Sequence, residues 1–260
     1  MSAIDVPDHR TRTARFGGTS AIWSLTAAGL FLGSAVLQLV ASLQRWVVFR
    51  YSRGEFELED HLYDYTIPWH PWENIGTAAQ FFGAGILLLA LGVIAMALGV
   101  LAMPRPTTTR HPAVDILLGV FDLVLAILVA GWFVISGAHA LISGLNNTPS
   151  PLAQYLTLGW VGVVGVMVLC VRWARRSPAA TMACLFLLGS TMLGYFIATY
   201  QIAPIFAGYI SHDTTPWTET IVAVWTAAAG VAMIVAAGDA SSRKTQRAAS
   251  LVPDAAVQGQ

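Results

Sequence analysis

Charge is scarce in this chain. Only 11% of its 260 residues are Asp, Glu, Lys or Arg, against about 25% in an average soluble domain. The shortage is concentrated: no charged residue occurs at 16–44, 74–104, 123–171, 177–212 or 220–238. A soluble core helix does not need uncharged runs of that length, whereas a helix facing lipid does. Lysine occurs once, at Lys244, so no span holds an amine for a Schiff base. There is no phosphate-cradling glycine loop, which argues against an ATPase. There is no Gly-x-Ser-x-Gly and no helix-borne Ser–His or Asp–Asp pair suited to an intramembrane protease. No histidine pair suits haem. No cofactor, no self-sufficient catalytic residue set and no nucleic-acid partner is expected. The two cysteines, Cys170 and Cys184, fall near the ends of neighbouring helices and read as small buried residues rather than a disulfide.

What is plentiful is apolar: 56% of the residues. Five of the twelve prolines, Pro71, Pro112, Pro151, Pro178 and Pro216, follow short polar stretches and precede long apolar runs. Proline is well placed in a helix's first turn, where its missing N–H has no partner to lose. With the run after Ser20 this predicts six helices at 20–48, 72–103, 113–143, 152–171, 179–200 and 217–238, each long enough to cross a hydrocarbon core of about 30 Å. The first run exceeds the roughly 7–15 residues of a signal-peptide core and reads as a span. The expected fold class is an all-α integral membrane protein, a bundle of six transmembrane helices in one domain over 19–239. It is flanked by a disordered basic tail at 1–18 and a second polar tail at 240–260.

The charges that exist are sorted. The termini and even-numbered loops hold eleven basic residues against five acidic ones, and the odd-numbered loops three against eight. The positive-inside rule then puts both termini in the cytoplasm. Arginine-rich, lysine-poor composition hints at a bacterial source, hence a cytoplasmic (inner) membrane. Glycine spacing suggests close helix packing: Gly29-x-x-x-Gly33 in helix 1, Gly85, Gly92 and Gly99 in helix 2, and Gly159, Gly162 and Gly165 in helix 4.

Three groups of residues stand out chemically. Asp122 lies ten residues past Pro112, roughly 15 Å along its helix, near the expected mid-membrane depth. A carboxylate there faces the bundle interior or water. With Gln38, Gln80 and His139 it could line an ion path, or it could be a hydrogen-bonded structural group, since no Lys or Arg is expected at that depth. The second group is external: Glu57, Asp60, His61 and Asp64 in loop 1, then His70, with His212 and Asp213 in loop 3. These could bind a divalent metal or simply form a solvated acidic loop. If the loop is helical, Glu57, His61 and Asp64 share one face and Leu58, Leu62 and Tyr65 another, which could rest on the membrane. The third is an echo: Pro71-Trp72-Glu73 and Pro216-Trp217-Thr218-Glu219 both anchor helix starts, with Trp at the interface and the acid at the positive end of the dipole.

The leading functional expectation is a non-catalytic accessory or assembly subunit of a larger bacterial membrane complex, respiratory or transport. It would contact lipid and dock protein partners through helix faces and external loops. The alternatives are a small proton- or cation-coupled transporter or channel using Asp122, and a membrane enzyme with an external His/Asp metal site.

Overall fold

The computed structural model describes residues 9–53, 57–103 and 112–249; Arg105, Arg110 and the end of the C-terminal tail lie outside them. Helix α1 spans His9–Leu43 and runs on through a π-helical turn, Gln44–Val48. Helix α2 is Ala78–Leu101, α3 is Pro112–Asn146, and α4 is Gly159–Trp173, entered by a 3-10 stretch at Pro151–Leu158. Helix α5 is Pro178–Leu188. Helix α6, Met192–Ile197, continues through a π turn and a short helical turn to Ala207. Helix α7 is Thr218–Ala249. No strand occurs among the described residues. Five of these helices are long and apolar enough to cross a membrane, and α5 with α6, bent by 62°, make a sixth if they form one span.

Sequence neighbours are spatial neighbours. Helix α1 packs on α2, α2 on α3, α3 on α4, α4 on α5 and α5 on α7, and α7 returns to α1, closing the ring. Small residues set the spacing. A Cβ at Gly92 would stand 2.5 Å from the Phe31 ring of α1, and one at Gly85 3.0 Å from the Ser34 carbonyl, so the glycine stripe of α2 is the α1 contact. Gly162 takes the Trp132 ring of α3 at 2.6 Å in the same sense. Gly29 has nothing within 4 Å and Gly33 meets only Leu88 at 3.5 Å. The Gly29-x-x-x-Gly33 spacing therefore does not mark a close backbone approach.

Several boundaries differ from the sequence-based expectation. Residues 9–18 and 240–249, read as polar tails, continue α1 and α7 as helix. Pro112 and Pro178 do begin helices, and Pro151 begins the 3-10 stretch. Pro71 and Pro216 do not. After Pro71 the chain stays irregular as far as Thr77, because neighbouring helices hold it: Asn74 Nδ2 donates to the Gly144 carbonyl (3.1 Å), and the Thr77 N–H donates to Gln44 Oε1 (3.0 Å). Gly76, at φ 52°, makes the left-handed turn that this path needs. After Pro216, Trp217 takes φ 73° and the helix starts one residue later.

The span expected to be continuous at 179–200 is broken. Thr191 is extended (φ −92°, ψ 173°) between α5 and α6. The break has a packing cause: Trp225 of α7 covers Gly189, leaving a would-be Cβ 2.1 Å from its ring, and Gly194 folds back onto Gly189 at 2.3 Å. Only two glycines allow that approach, and Gly/Ser pairs are common kink sites. Loop 1 likewise forms two short 3-10 turns, Glu57–Glu59 and His61–Tyr63, rather than an amphipathic helix. Leu58 and Tyr65 are fully buried in the core, not laid on a membrane surface.

The bent α5–α6 pair decides how many times the chain crosses. Reporter fusions at the two termini test it: six crossings put both on one side, whereas opposite sides would make the pair a re-entrant segment with five crossings.

Candidate functional site

One arginine organises the end of the bundle that carries the acidic loops. Arg45 lies in the π-helical turn that ends α1, a local widening of the helix often found at functional positions. Its side chain is completely buried, and each of its five N–H donors has an acceptor. Nε and Nη2 donate to the Leu58 carbonyl (2.9 and 2.6 Å), and Nη2 also to the Asp60 carbonyl (3.4 Å). Nη1 donates to Asp64 and, at 2.9 Å, to Glu219 Oε1. The second Glu219 oxygen accepts the indole N–H of Trp46 at 2.7 Å. Thr214 Oγ1 donates to Asp64 (2.9 Å to Oδ1), and its N–H to the Glu59 carbonyl (3.2 Å). Tyr209 donates to Glu59. Loop 1, α1 and α7 thus meet on a single guanidinium, and loop 3 joins them through Asp64 and Glu59. Burial, and secondarily the Glu219 charge, push the neighbouring Tyr65 phenol well above its ordinary pKa, so it stays neutral.

Beside the cluster lies a cavity of about 60 Å³. Glu219 is on its wall, with Phe82 of α2, Trp132 of α3, Tyr195 of α6 and the Ser190 and Thr191 of the helix break. Ser190 and Thr226 hydroxyls are 2.8 Å apart, and Thr191 Oγ1 donates to the Leu188 carbonyl at 2.6 Å. These bonds satisfy part of the backbone and hydroxyl groups that the break releases.

The expected ion-path residues do not come together. Asp122 is buried, but it is ion-paired to Arg172 and Arg176 (3.1 Å to the latter) of the α4 end and the turn after it. This corrects the expectation that no basic residue reaches its depth. Arginine stems are long enough to bring a guanidinium inward from a helix end. Arg172 also donates to the Leu118 carbonyl (3.2 Å) and lies over the Phe121 ring. Gln38 donates to Ser34 (2.9 Å) and Thr226 (3.4 Å), tying α1 to α7. Gln80 donates to the Gly144 carbonyl (2.7 Å), tying α2 to α3. His139 is buried between Ser150 (2.8 Å) and the Pro68 carbonyl (3.0 Å). A carbonyl only accepts, so Nε2 carries the proton and Nδ1 accepts from Ser150.

The external group separates into three. Asp64 belongs to the Arg45 cluster. Asp60, His61 and Asp213 converge, with His61 Nδ1 at 2.8 Å from Asp60 and 3.4 Å from Asp213. These three are the one set among the described residues whose ligand atoms could share a divalent ion. Burial and the Asp64 charge raise the pKa of Asp213. Glu57, His70 and His212 are exposed and stand outside that set. The two helix-start anchors are unlike: Trp72 is buried beside an exposed Glu73, whereas Glu219 is buried and bound to Arg45. Sequence reasoning missed Arg45 as an organising residue. The available signal was an arginine directly after a charge-free run of 29 residues, 16–44. Cys170 and Cys184 are buried free thiols, as expected.

Replacing Asp122 removes the carboxylate that Arg172 and Arg176 share. Asp122→Asn is expected to lower the unfolding free energy of the solubilised protein by about 2 kcal/mol. A change below about 0.5 kcal/mol, within the range of ordinary surface substitutions, would show that the pair does not hold α3 to α4.

No protein-family model matches this chain, and no curated protein or solved structure is significantly similar to it. The chain is characterised by its own structure: among the described residues it is an all-helical bundle with five helices long and apolar enough to span a membrane, or six if the bent pair is one span, as a multi-pass membrane protein requires.

Proposed function

We propose that this chain is a non-catalytic accessory subunit of a larger membrane complex, respiratory or transport, and that it docks its partner through the acidic-loop end. The supporting observation is the Arg45 cluster. It fastens loops 1 and 3 to two helix ends, so the surface they present is preformed and costs little ordering on binding. That surface displays large side chains that the core does not use, among them Tyr51, Trp69, Ile205 and Phe206. Aromatic residues are the side chains most enriched at protein interfaces. Basic residues concentrated at the opposite end favour an orientation with the acidic loops outside and both termini in the cytoplasm of a bacterial cell.

A transporter is the second reading, favoured by the broken α5–α6 pair. Interrupted helices that line a cavity are how many transporters build a substrate site. In this reading the Glu219 cavity replaces Asp122 as the site.

Purification from native membranes in mild detergent separates the readings. The subunit reading expects a stoichiometric partner whose yield falls at least fivefold in Trp69→Ala, with monomer melting unchanged. A monodisperse chain with no companion would contradict it.

A further inference from the structure

We propose that the cavity beside Glu219 binds the ammonium group of a small organic cation. The first ground is charge. Asp64 and Glu219 are both held by Arg45 and by no other basic side chain among the described residues, so the buried cluster carries one positive and two negative groups. Glu219 itself is buried, and an excess charge held out of water is costly unless a counter-ion joins it. The second ground is the wall. Glu219 shares the cavity with the rings of Phe82, Trp132 and Tyr195, and aromatic faces with a carboxylate are the surroundings that attract alkylammonium ions. The third is size. A volume of about 60 Å³ holds about four water-sized groups, which suits a methylated ammonium head, and the cavity is partly open, so a chain on the ammonium can extend out of it. Ser190 and Thr191 at the helix break supply oxygen atoms to the same wall, as acceptors for N–H groups of less substituted amines. Trp132, on the cavity wall, has a buried N–H without an acceptor, a donor left over for an oxygen on the ligand. The inference concerns binding and holds whether the protein is a subunit or a transporter.

Tetramethylammonium and choline, titrated into the full-length protein in detergent with tryptophan fluorescence as readout, test the proposal. Saturable binding is expected, with 3,3-dimethylbutanol, the neutral analogue of choline, at least tenfold weaker. Glu219→Gln should weaken choline at least tenfold. Because that variant could fold poorly, Phe82→Leu and Trp132→Leu are measured by calorimetry as well, each expected to weaken binding several-fold. No saturation by either cation, equal binding of the neutral analogue, or unchanged affinity in a folded Glu219→Gln protein would each overturn it. The ammonium could be free or part of a lipid headgroup. Repeating the titration in nanodiscs with and without phosphatidylethanolamine distinguishes these: competition by the lipid assigns a headgroup, and an unchanged affinity assigns a soluble amine.

Discussion

The buried contact between Arg45 and its two carboxylates is the constraint on which the acidic-loop end depends. A guanidinium that has left water must replace every hydrogen bond it gives up. Here the replacements come from four places in the sequence: the carbonyls of residues 58 and 60, Asp64 and Glu219. Each acceptor fixes the segment that carries it, so one side chain ties loop 1 to α1 and α7, and loop 3 is held in turn by the Thr214 and Tyr209 bonds to loop 1. Trp46 and Thr214 donate further hydrogen bonds to the two carboxylates and leave Glu219 with acceptor sites to spare. Replacing such a cluster by apolar groups can be neutral, whereas removing one member is costly. Its role is therefore to specify an arrangement more than to add stability.

The two ends of the bundle use the same device at different strength. At the arginine-rich end Asp122 gathers Arg172 and Arg176, but those arginines keep part of their surface in solvent, so their hold on α3 and α4 is looser. Between the ends there is little charge, and packing is set by small residues: Gly85, Gly92 and Gly99 against α1, and Gly162 against Trp132. Without a strong hydrophobic drive between helices in lipid, close backbone approach and side-chain hydrogen bonds such as Gln38–Thr226 supply the association. The exception is the α5–α6 break. There two glycines accept a tryptophan and a folded-back turn, and the cavity opens beside it.

The apolar runs were legible in the sequence because length and charge exclusion are local properties, whereas the helix ends at 9–18, 72–77 and 240–249 were not. So was the glycine stripe of α2, whose seven-residue spacing is a property of one helix. Pairing across the bundle was not. Asp122 looked isolated because depth counted along one helix ignores how far an arginine on another can reach. Arg45 looked like an ordinary loop charge because its partners lie up to 174 positions away. The burial of Leu58 and Tyr65 is not legible locally, since no local pattern shows that a loop turns inward. The break at Thr191 was visible only as a Gly-Ser-Thr run, which many continuous helices contain. Trp225 decides it, from a different helix.

A double-mutant cycle on Arg45 and Glu219 measures the central contact directly. Arg45→Met, Glu219→Gln and the double variant would each be unfolded from mixed micelles by titrated denaturing detergent. The account predicts strong coupling, with the double variant more stable than the sum of the single losses implies by about 2 kcal/mol. Losses that add to within about 0.5 kcal/mol would mean that the two residues do not act on each other, and the picture of one arginine fastening loop 1 and α1 to α7 would be wrong.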